Sequence, residues 1–137
     1  MSNLARASIE FHVPFHDIDM THAVWHGFYL KYLELARTAL MRKCDLDVME
    51  IVRLGYRMVV IESKCRHSFP LHYGDHVRVD AFVLDADIRL HIGYEIHNLT
   101  HGKRAARAST TLATLDSSGK LLYATPTEIR EKLTCTI

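Results

Sequence analysis

The chain has 137 residues, of which 48% are hydrophobic, and its 17 basic and 16 acidic side chains leave a formal net charge of +1. This size and apolar content predict a single domain, spanning residues 1–137, with one core. The near-neutral balance gives no indication of a nucleic-acid or membrane partner, and no apolar run approaches the roughly 20 residues needed to span a bilayer. Cys44, Cys65 and Cys135 form an odd set without close pairing, and the first residues lack the apolar core of a signal peptide. We therefore expect a cytoplasmic protein.

The first half of the chain predicts one strand and two helices. A strand-like stretch from Ile9 to Phe15 runs into His16-Asp17-Ile18-Asp19, and His26-Gly27 then opens an amphipathic helix that reaches about Cys44. Its apolar residues recur with the period of a helix that buries one stripe: Tyr29, Tyr32, Leu33, Ala36 and Leu40. About 18 residues make a helix near 27 Å long, enough to cross a sheet. A short amphipathic segment, Val48 to Leu54, ends at Gly55.

After Gly55 the apolar period changes from about 3.6 to 2, which predicts strands. Four runs follow this pattern: Met58 to Phe69, His76 to Leu84, Arg89 to His97, and Ala105 to Leu115. Because the connections are short, we expect successive strands to be antiparallel neighbours in a meander. A last helical turn begins at Pro126-Thr127. The fold class is α+β, and an exposed edge strand in such a sheet favours self-association.

Two carboxylates, Asp17 and Asp19, lie between the first strand and the long helix. The start of a helix presents unpaired N–H groups and a partial positive charge, which suit a carbonyl oxygen that gains negative charge. Asp17 is more typical of a cap, whereas Asp19 is closer to the helix and is followed by a candidate binding loop, residues 20–25. Asp19 is therefore the better candidate for a general base or nucleophile in acyl transfer.

Histidines in this region raise the alternative of a metal site. His22 and His26 are spaced i, i+4 and, together with the two aspartates, contain ligand types for a divalent ion. The spacing matches no established ligand pattern, and the chain has neither His-Glu-x-x-His nor paired Cys-x-x-Cys. The sequence thus predicts no metal and no cofactor, and His26 is expected to contribute its backbone N–H.

Other polar residues are weaker candidates for a functional role. Glu34 and Arg37 lie within one helical turn, as solvated ion pairs do, and Glu34 becomes functional only if its face meets the site. Arg66 and Arg89, on the strands with Arg104 and Arg107, are candidates for binding an anionic ligand. The histidines of the predicted strands, His67 among them, are expected on solvent-facing sheet surface.

Three motifs together resemble a known family. They are Phe15-His16-Asp17-Ile18-Asp19 with Val24-Trp25-His26-Gly27-Phe28-Tyr29-Leu30-Lys31-Tyr32-Leu33-Glu34-Leu35-Ala36-Arg37, then Pro70-Leu71-His72-Tyr73-Gly74-Asp75, then Asp116-Ser117-Ser118-Gly119-Lys120 with Pro126. They are similar to hotdog-fold acyl-CoA thioesterases of the 4-hydroxybenzoyl-CoA thioesterase type. Family members often carry Gly where this chain has Thr21-His22 and Asn where it has Phe28. Phe28 thus predicts a more apolar acyl pocket.

The resemblance implies a hotdog fold, in which an antiparallel sheet of about five strands wraps around one long central helix, and a homodimer or homotetramer with sites at the dimer interface. It implies that Asp19 is the catalytic base or nucleophile, that the His26 N–H polarises the thioester carbonyl, and that Asp17 supports the loop. The expected substrate-binding residues are His22, Val24, Trp25, Phe28, Glu34, Arg66 and Arg89. The expected activity is hydrolysis of acyl-CoA, where CoA is part of the substrate. Alternatives are an acyl carrier protein as substrate, a non-catalytic acyl-binding protein, and a metal-dependent hydrolase.

Overall fold

The computed structural model describes residues 4–134, which form three α-helices, five strands and one short 3₁₀ turn. In chain order the elements are β1 (Arg6–His12), the 3₁₀ turn (Phe15–Asp17), α1 (Phe28–Lys43), α2 (Val48–Arg53), β2 (Tyr56–His67), β3 (His76–Asp85), β4 (Leu90–Asn98), β5 (Lys103–Asp116) and α3 (Thr127–Thr134). Each predicted helix and strand is present, with bounds shifted by at most three residues. The α+β class is confirmed.

The five strands form one antiparallel sheet with the order β1-β3-β4-β5-β2. One row across the inner face shows the register: Val79 lies between Ile9 and Ile96, and Ile96 lies opposite Ala106. Val79, Ile96 and Ala106 are fully buried. These rows of small and branched side chains form the floor of the core.

The expected meander is wrong at one connection, because β2 and β3 are not neighbours. β2 pairs with β5 at one edge, and the chain returns past β5 and β4 before it enters β3. That return needs about three strand spacings, roughly 14 Å, whereas eight extended residues reach about 26 Å. Residues 68–75 can therefore cross the end of the sheet, where the Ser68 and Phe69 N–H groups both donate to the Ala105 carbonyl, at 2.8 and 3.1 Å. We call residues 68–75 the crossover segment.

The helix α1 packs against β1 and β3 and supplies the other half of the core. Its predicted stripe is confirmed, since every member is at most 3% exposed: Tyr29, Tyr32, Leu33, Ala36 and Leu40. Full burial of side chains such as Leu33 and Leu40 contributes roughly 1.5–3 kcal/mol each relative to exposure. This packing fixes where the start of α1 lies relative to the sheet.

The strand β2 is an edge of the sheet and is largely exposed. Within residues 4–134 only β5 pairs with it, and the register shifts between Val60 and Glu62, a β-bulge at Ile61. Val60 and Ile61 are 42% and 56% exposed. An apolar, unpaired edge of this kind is suited to pairing with another chain.

The helix α3 covers one end of the core, and the cysteines and the helix lengths can be compared with the predictions. In α3, Ile129 and Leu133 are fully buried, and the Leu133 carbonyl accepts the Ala5 N–H at 3.0 Å. Cys44 and Cys65 are free thiols, and Cys135 lies outside the described residues. Among the helices of residues 4–134, none has both the length and the hydropathy to cross a bilayer.

Candidate active site

Asp17 is fully buried at the end of the 3₁₀ turn and ties this turn to α1. Its carboxylate accepts hydrogen bonds from the Lys31 ammonium at 2.7 and 2.9 Å and from the Tyr32 hydroxyl at 2.6 Å. Burial alone would raise its pKa, but these hydrogen bonds and the Lys31 charge lower the pKa below its ordinary value of 3.8. Its backbone carbonyl also accepts the Trp25 N–H at 3.3 Å. Asp17 thus braces the segment that leads into α1.

Asp19 begins a tight turn and holds a partly exposed carboxylate. The His22 N–H donates to the Asp19 carbonyl at 3.0 Å, and the Thr21 N–H donates to its Oδ1 at 2.8 Å. The hydrogen bond from the Thr21 hydroxyl, followed by that N–H, lowers the pKa of Asp19. An aspartate of this kind is ionised at neutral pH.

His22 occupies the left-handed region, with φ of 68°. A non-glycine residue is uncommon there, and glycine adopts this conformation without steric cost. The His22 side chain is exposed and lies close enough to Asp19 to help lower the pKa of that carboxyl.

The loop from Ile18 to Val24, which we call the Asp19 loop, is anchored at both ends. Ile18 and Val24 form an isolated antiparallel bridge, and Ala23 forms another with His72 of the crossover segment. The Val24 N–H donates to the Leu71 carbonyl at 2.8 Å, and Val24 itself is only 7% exposed. The structure therefore places Val24 in the core, where its N–H fixes the loop.

The start of α1 is open. Gly27 is the N-cap, no side chain caps the helix, and no acidic residue lies in its first turn. Within residues 4–134 neither the His26 N–H nor the Gly27 N–H donates to an acceptor. The Trp25 ring lies so close over Gly27 that a Cβ there would collide with it. Two free N–H groups at the positive end of a helix form a suitable site for an oxyanion.

Aromatic rings surround this helix start. Trp25, 47% exposed, packs edge-on against Phe28 with ring centroids 5.6 Å apart. His67, at the end of β2, packs edge-on against Tyr29 at 4.4 Å and lies 6.4 Å from the His26 ring. Burial, followed by the charge of His26, lowers the pKa of His67. His67 is exposed on β2, as expected, and it also contacts Tyr29 of α1, which strand periodicity could not have indicated.

Glu34 lies farther along α1, away from the Asp19 loop. Its side chain is 72% exposed, and its carboxylate is 3.7 Å from Arg37, which also donates to the Tyr94 hydroxyl at 3.4 Å. Both residues line a cavity of about 540 Å³ between α1, α2 and β2, whose other walls include Met58 and Ile51. Asp19 does not line this cavity, so within one chain the two predicted groups remain separate.

The two arginines predicted to bind substrate have different surroundings. Arg66 faces Arg107 across the β2–β5 ladder, and within residues 4–134 neither guanidinium has a hydrogen-bond or ion-pair partner. Like charges directly opposite one another destabilise a ladder, so an anion bound beside the two guanidinium groups would reduce their repulsion. Arg89, in contrast, donates to the carbonyls of Leu122 and Tyr123 at 3.3 and 2.9 Å. Its predicted contact with substrate stays a prediction.

The family follows from a match over nearly all of these elements. Residues 13–133 match the family model of the Thioesterase-like superfamily. The chain belongs to this superfamily, its fold is the hotdog fold, and it is a thioester hydrolase. The resemblance drawn from the sequence motifs is confirmed.

Individual relatives agree with this assignment. The Synechocystis sp. (strain ATCC 27184 / PCC 6803 / Kazusa) protein named "Putative esterase sll0410" is 28% identical over 120 residues, which cover 86% of this chain and 72% of that protein. The crystal structure of a 1,4-dihydroxy-2-naphthoyl-CoA thioesterase from Synechocystis is 20% identical, with a TM-score of 0.84 over 96% of this chain and 97% of that one. A 4-hydroxybenzoyl-CoA thioesterase mutant, complexed with 4-hydroxybenzoyl-CoA, is 15% identical, with a TM-score of 0.83 over 94% and 99%. The similarity to these structures concerns the fold.

Proposed function

We propose that this protein hydrolyses an acyl-CoA thioester to a carboxylic acid and CoA. One observation carries the proposal: an ionised, partly exposed carboxylate, Asp19, lies on a loop anchored beside a helix start whose His26 N–H has no acceptor within the described chain. A base or nucleophile next to an oxyanion donor is the arrangement that acyl transfer requires. Two structural relatives are described with CoA or an acyl-CoA bound, which favours CoA as the thiol.

Two routes use the same groups. In the first, Asp19 accepts a proton from water, the oxygen of that water forms a bond to the thioester carbon, and the C–S bond of the tetrahedral intermediate breaks. The departing thiolate then takes the proton from Asp19. In the second, Asp19 attacks the carbonyl carbon itself, CoA thiolate leaves, and water hydrolyses the resulting anhydride. In both routes the His26 N–H stabilises the oxyanion, and removal of such a donor costs about 2.7–4 kcal/mol of barrier.

Asp17 supports this geometry without contacting substrate. Its carbonyl holds the Trp25 N–H, and its carboxylate is bound to Lys31 and Tyr32 in the first turn of α1. The Asp17 carboxylate is buried and accepts hydrogen bonds from two side chains of α1, so its position is fixed. Asp17 therefore holds the Asp19 loop in place relative to the start of α1.

We assign substrate recognition to three surfaces. Trp25 and Phe28 offer apolar rings beside the helix start and would contact the acyl group, with exposed His22 at the entrance. Arg66 and Arg107 form no ion pair within residues 4–134, although Glu95 lies opposite Arg107 in β4, and they would bind the CoA phosphates. The cavity that includes Glu34 is separate from Asp19 within one chain, so in a dimer it would receive a longer acyl chain from the partner subunit's site; its walls are mostly apolar.

An acyl carrier protein remains the alternative thiol, because the same two arginines would also attract an acidic carrier. We further propose that the protein is cytoplasmic and forms a homodimer through β2, whose apolar edge is unpaired in the described chain. A partner at this edge would cover Ile61 and lie beside His67. Dimers could stack further into a homotetramer.

The test is a thiol-release assay over aromatic, short-chain and long-chain acyl-CoAs, with the same acyl groups presented on a carrier protein and on pantetheine. Saturable release of free CoA supports the proposal. Tight binding of acyl-CoA without release of thiol would instead indicate a non-catalytic acyl-binding protein. A preference for the carrier that disappears at high salt would identify the carrier protein as the substrate.

A further inference from the structure

A second group of titratable side chains lies on the far side of the Asp19 loop, where the crossover segment passes the turn between β4 and β5. It consists of His72, Asp75 and His101, whose nitrogen and carboxylate oxygen atoms lie within 4.8 Å of one another. We propose that these three residues bind a divalent transition metal ion, and that Zn²⁺ fits them best. Two imidazoles and one carboxylate are a ligand set that zinc adopts when one position stays open to water.

The spacing of the ligand atoms fits one ion. His72 Nδ1 lies 3.6 Å from Asp75 Oδ2, and His101 Nε2 lies 3.6 Å from Asp75 Oδ1. Zn²⁺ binds nitrogen and oxygen at about 2.0–2.2 Å, so neighbouring ligand atoms around a tetrahedral ion are separated by roughly 3.3–3.6 Å. Direct hydrogen bonds would be shorter, at about 2.7–3.2 Å. Each histidine nitrogen thus lies at a ligand-like distance from one carboxylate oxygen, although the two oxygens differ. Because the three ligand atoms are known to lie within 4.8 Å of one another, the exposed histidine side chains would draw together to share one ion.

The Asp75 carboxylate has one oxygen that is free to bind a cation. Its side chain is only 8% exposed, and its Oδ2 accepts hydrogen bonds from the His72 N–H at 2.9 Å and from Asn98 Nδ2 at 2.8 Å. Its Oδ1 accepts no hydrogen bond from any residue of the described range 4–134 and faces His101. A nearly buried carboxylate with an unused oxygen is costly unless a positive charge compensates it.

Buried Asn98 holds the three residues in place. Its amide nitrogen donates to Asp75 and to the Pro70 carbonyl, two residues before His72, and its Oδ1 accepts the His101 N–H at 3.1 Å. Asn98 is fully buried. Outer partners of this kind orient metal ligands and are needed for affinity.

A second cluster, Asp80, Glu95 and His97 on the outer face of the sheet, has similar spacing. There, however, the Arg78 guanidinium already donates to Asp80 Oδ1 at 3.1 Å and supplies positive charge. Its His97 Nε2 is buried without a hydrogen-bond partner among residues 4–134 and lies 3.2 Å from Glu95, so this cluster is the rival site that the experiment must distinguish.

Metal binding at the proposed site would stabilise the position of the Asp19 loop through the crossover segment. His72 pairs with Ala23 of the Asp19 loop, and the Leu71 carbonyl accepts the Val24 N–H. An ion shared with His101 would fix the crossover segment, and through it this loop, to the β4–β5 turn. The ion would hold the two segments together with water in its open fourth position, and the sequence-based expectation of no metal would be wrong.

The experiment titrates metal-free full-length protein with Co²⁺, a spectroscopic substitute for Zn²⁺, and then displaces it with Zn²⁺. It compares the wild type with His72→Ala, His101→Ala, His97→Ala and His91→Ala. His91 is the matched control, because it lies in β4 seven residues from Asn98, about 23 Å along the strand. Circular dichroism of each metal-free variant confirms the fold, which should persist because the His72 and His101 side chains are 46% and 49% exposed.

We expect d–d absorption of a bound Co²⁺ that Zn²⁺ abolishes, and a rise in melting temperature with metal. His72→Ala and His101→Ala should each remove one equivalent of Co²⁺ or weaken its binding at least roughly tenfold. His97→Ala and His91→Ala should bind as the wild type does. The absence of any bound Co²⁺, or loss of binding in His97→Ala with wild-type binding in His72→Ala, would overturn the proposal. None of these measurements depends on thioesterase activity.

Discussion

The substitution Asp19→Asn separates chemistry from structure at the proposed catalytic position. An asparagine Oδ1 can still accept the Thr21 N–H that donates to Asp19 at 2.8 Å, so the turn from Asp19 to His22 should persist. The amide cannot take a proton from water or attack a carbonyl. We expect turnover to fall by about 10²–10⁴-fold, the contribution typical of a positioned base. The melting temperature should change by no more than a degree or two.

The assay is release of free CoA from the best acyl-CoA, together with thermal unfolding of the same preparations. Asp17→Asn is the matched control, since it removes the same charge two residues earlier. It leaves Lys31 without its partner, and because Asp17 is fully buried we expect a loss of about 2–3 kcal/mol of stability. That loss corresponds to a melting temperature lower by roughly 6–12 °C.

The pH dependence of stability should follow Asp17 in the same pair. Its pKa is lower in the folded than in the unfolded chain, so its contribution is fully present above about pH 3.8 and is lost as the pH falls through the folded pKa. Asp17→Asn should remove that part of the acid dependence, and Asp19→Asn should keep it.

Wild-type turnover in Asp19→Asn would refute the catalytic assignment, whereas a large loss of stability would show that Asp19 is mainly structural.

Three further predictions concern the pKa of Asp19, the dimer contact at the β2 edge, and phosphate binding by Arg66. Thr21→Ala removes the hydroxyl that contributes most to the lowered pKa of Asp19, so the acidic limb of the kcat/KM profile should move to higher pH; an unchanged limb would mean that it reports another group. Ile61→Lys should convert a dimer to a monomer in light scattering, while Leu121→Lys, of similar exposure, should not; a dimer in both would place the interface elsewhere. Arg66→Glu should raise KM for acyl-CoA about 10–100-fold with little change in kcat, and should leave acyl-pantetheine unaffected. An equal rise in KM for acyl-CoA and acyl-pantetheine would show that Arg66 does not contact the CoA phosphates.

The elements of the fold could be predicted because each depends on local periodicity. The stripe from Tyr29 to Leu40 repeats with the helical period, and the strands alternate with period two. The neighbours of β2 could not be predicted in this way. Its short connection to β3 suggested a hairpin, but eight extended residues are also long enough to cross the strand ends, and only packing decides between the two.

The sequence by itself determined the helix α1 and the strand positions, because residue type and spacing along the chain carry that information. It also singled out Asp19 as the candidate base, which stays a prediction. The tertiary structure alone decided that Asp17 is buried against Lys31 and Tyr32, and that His67 from β2 lies against the start of α1. It also brought His101 to within 3.6 Å of Asp75, 26 positions earlier in the chain. The physical reason is that such contacts depend on how the sheet closes around the helix, which no local pattern encodes.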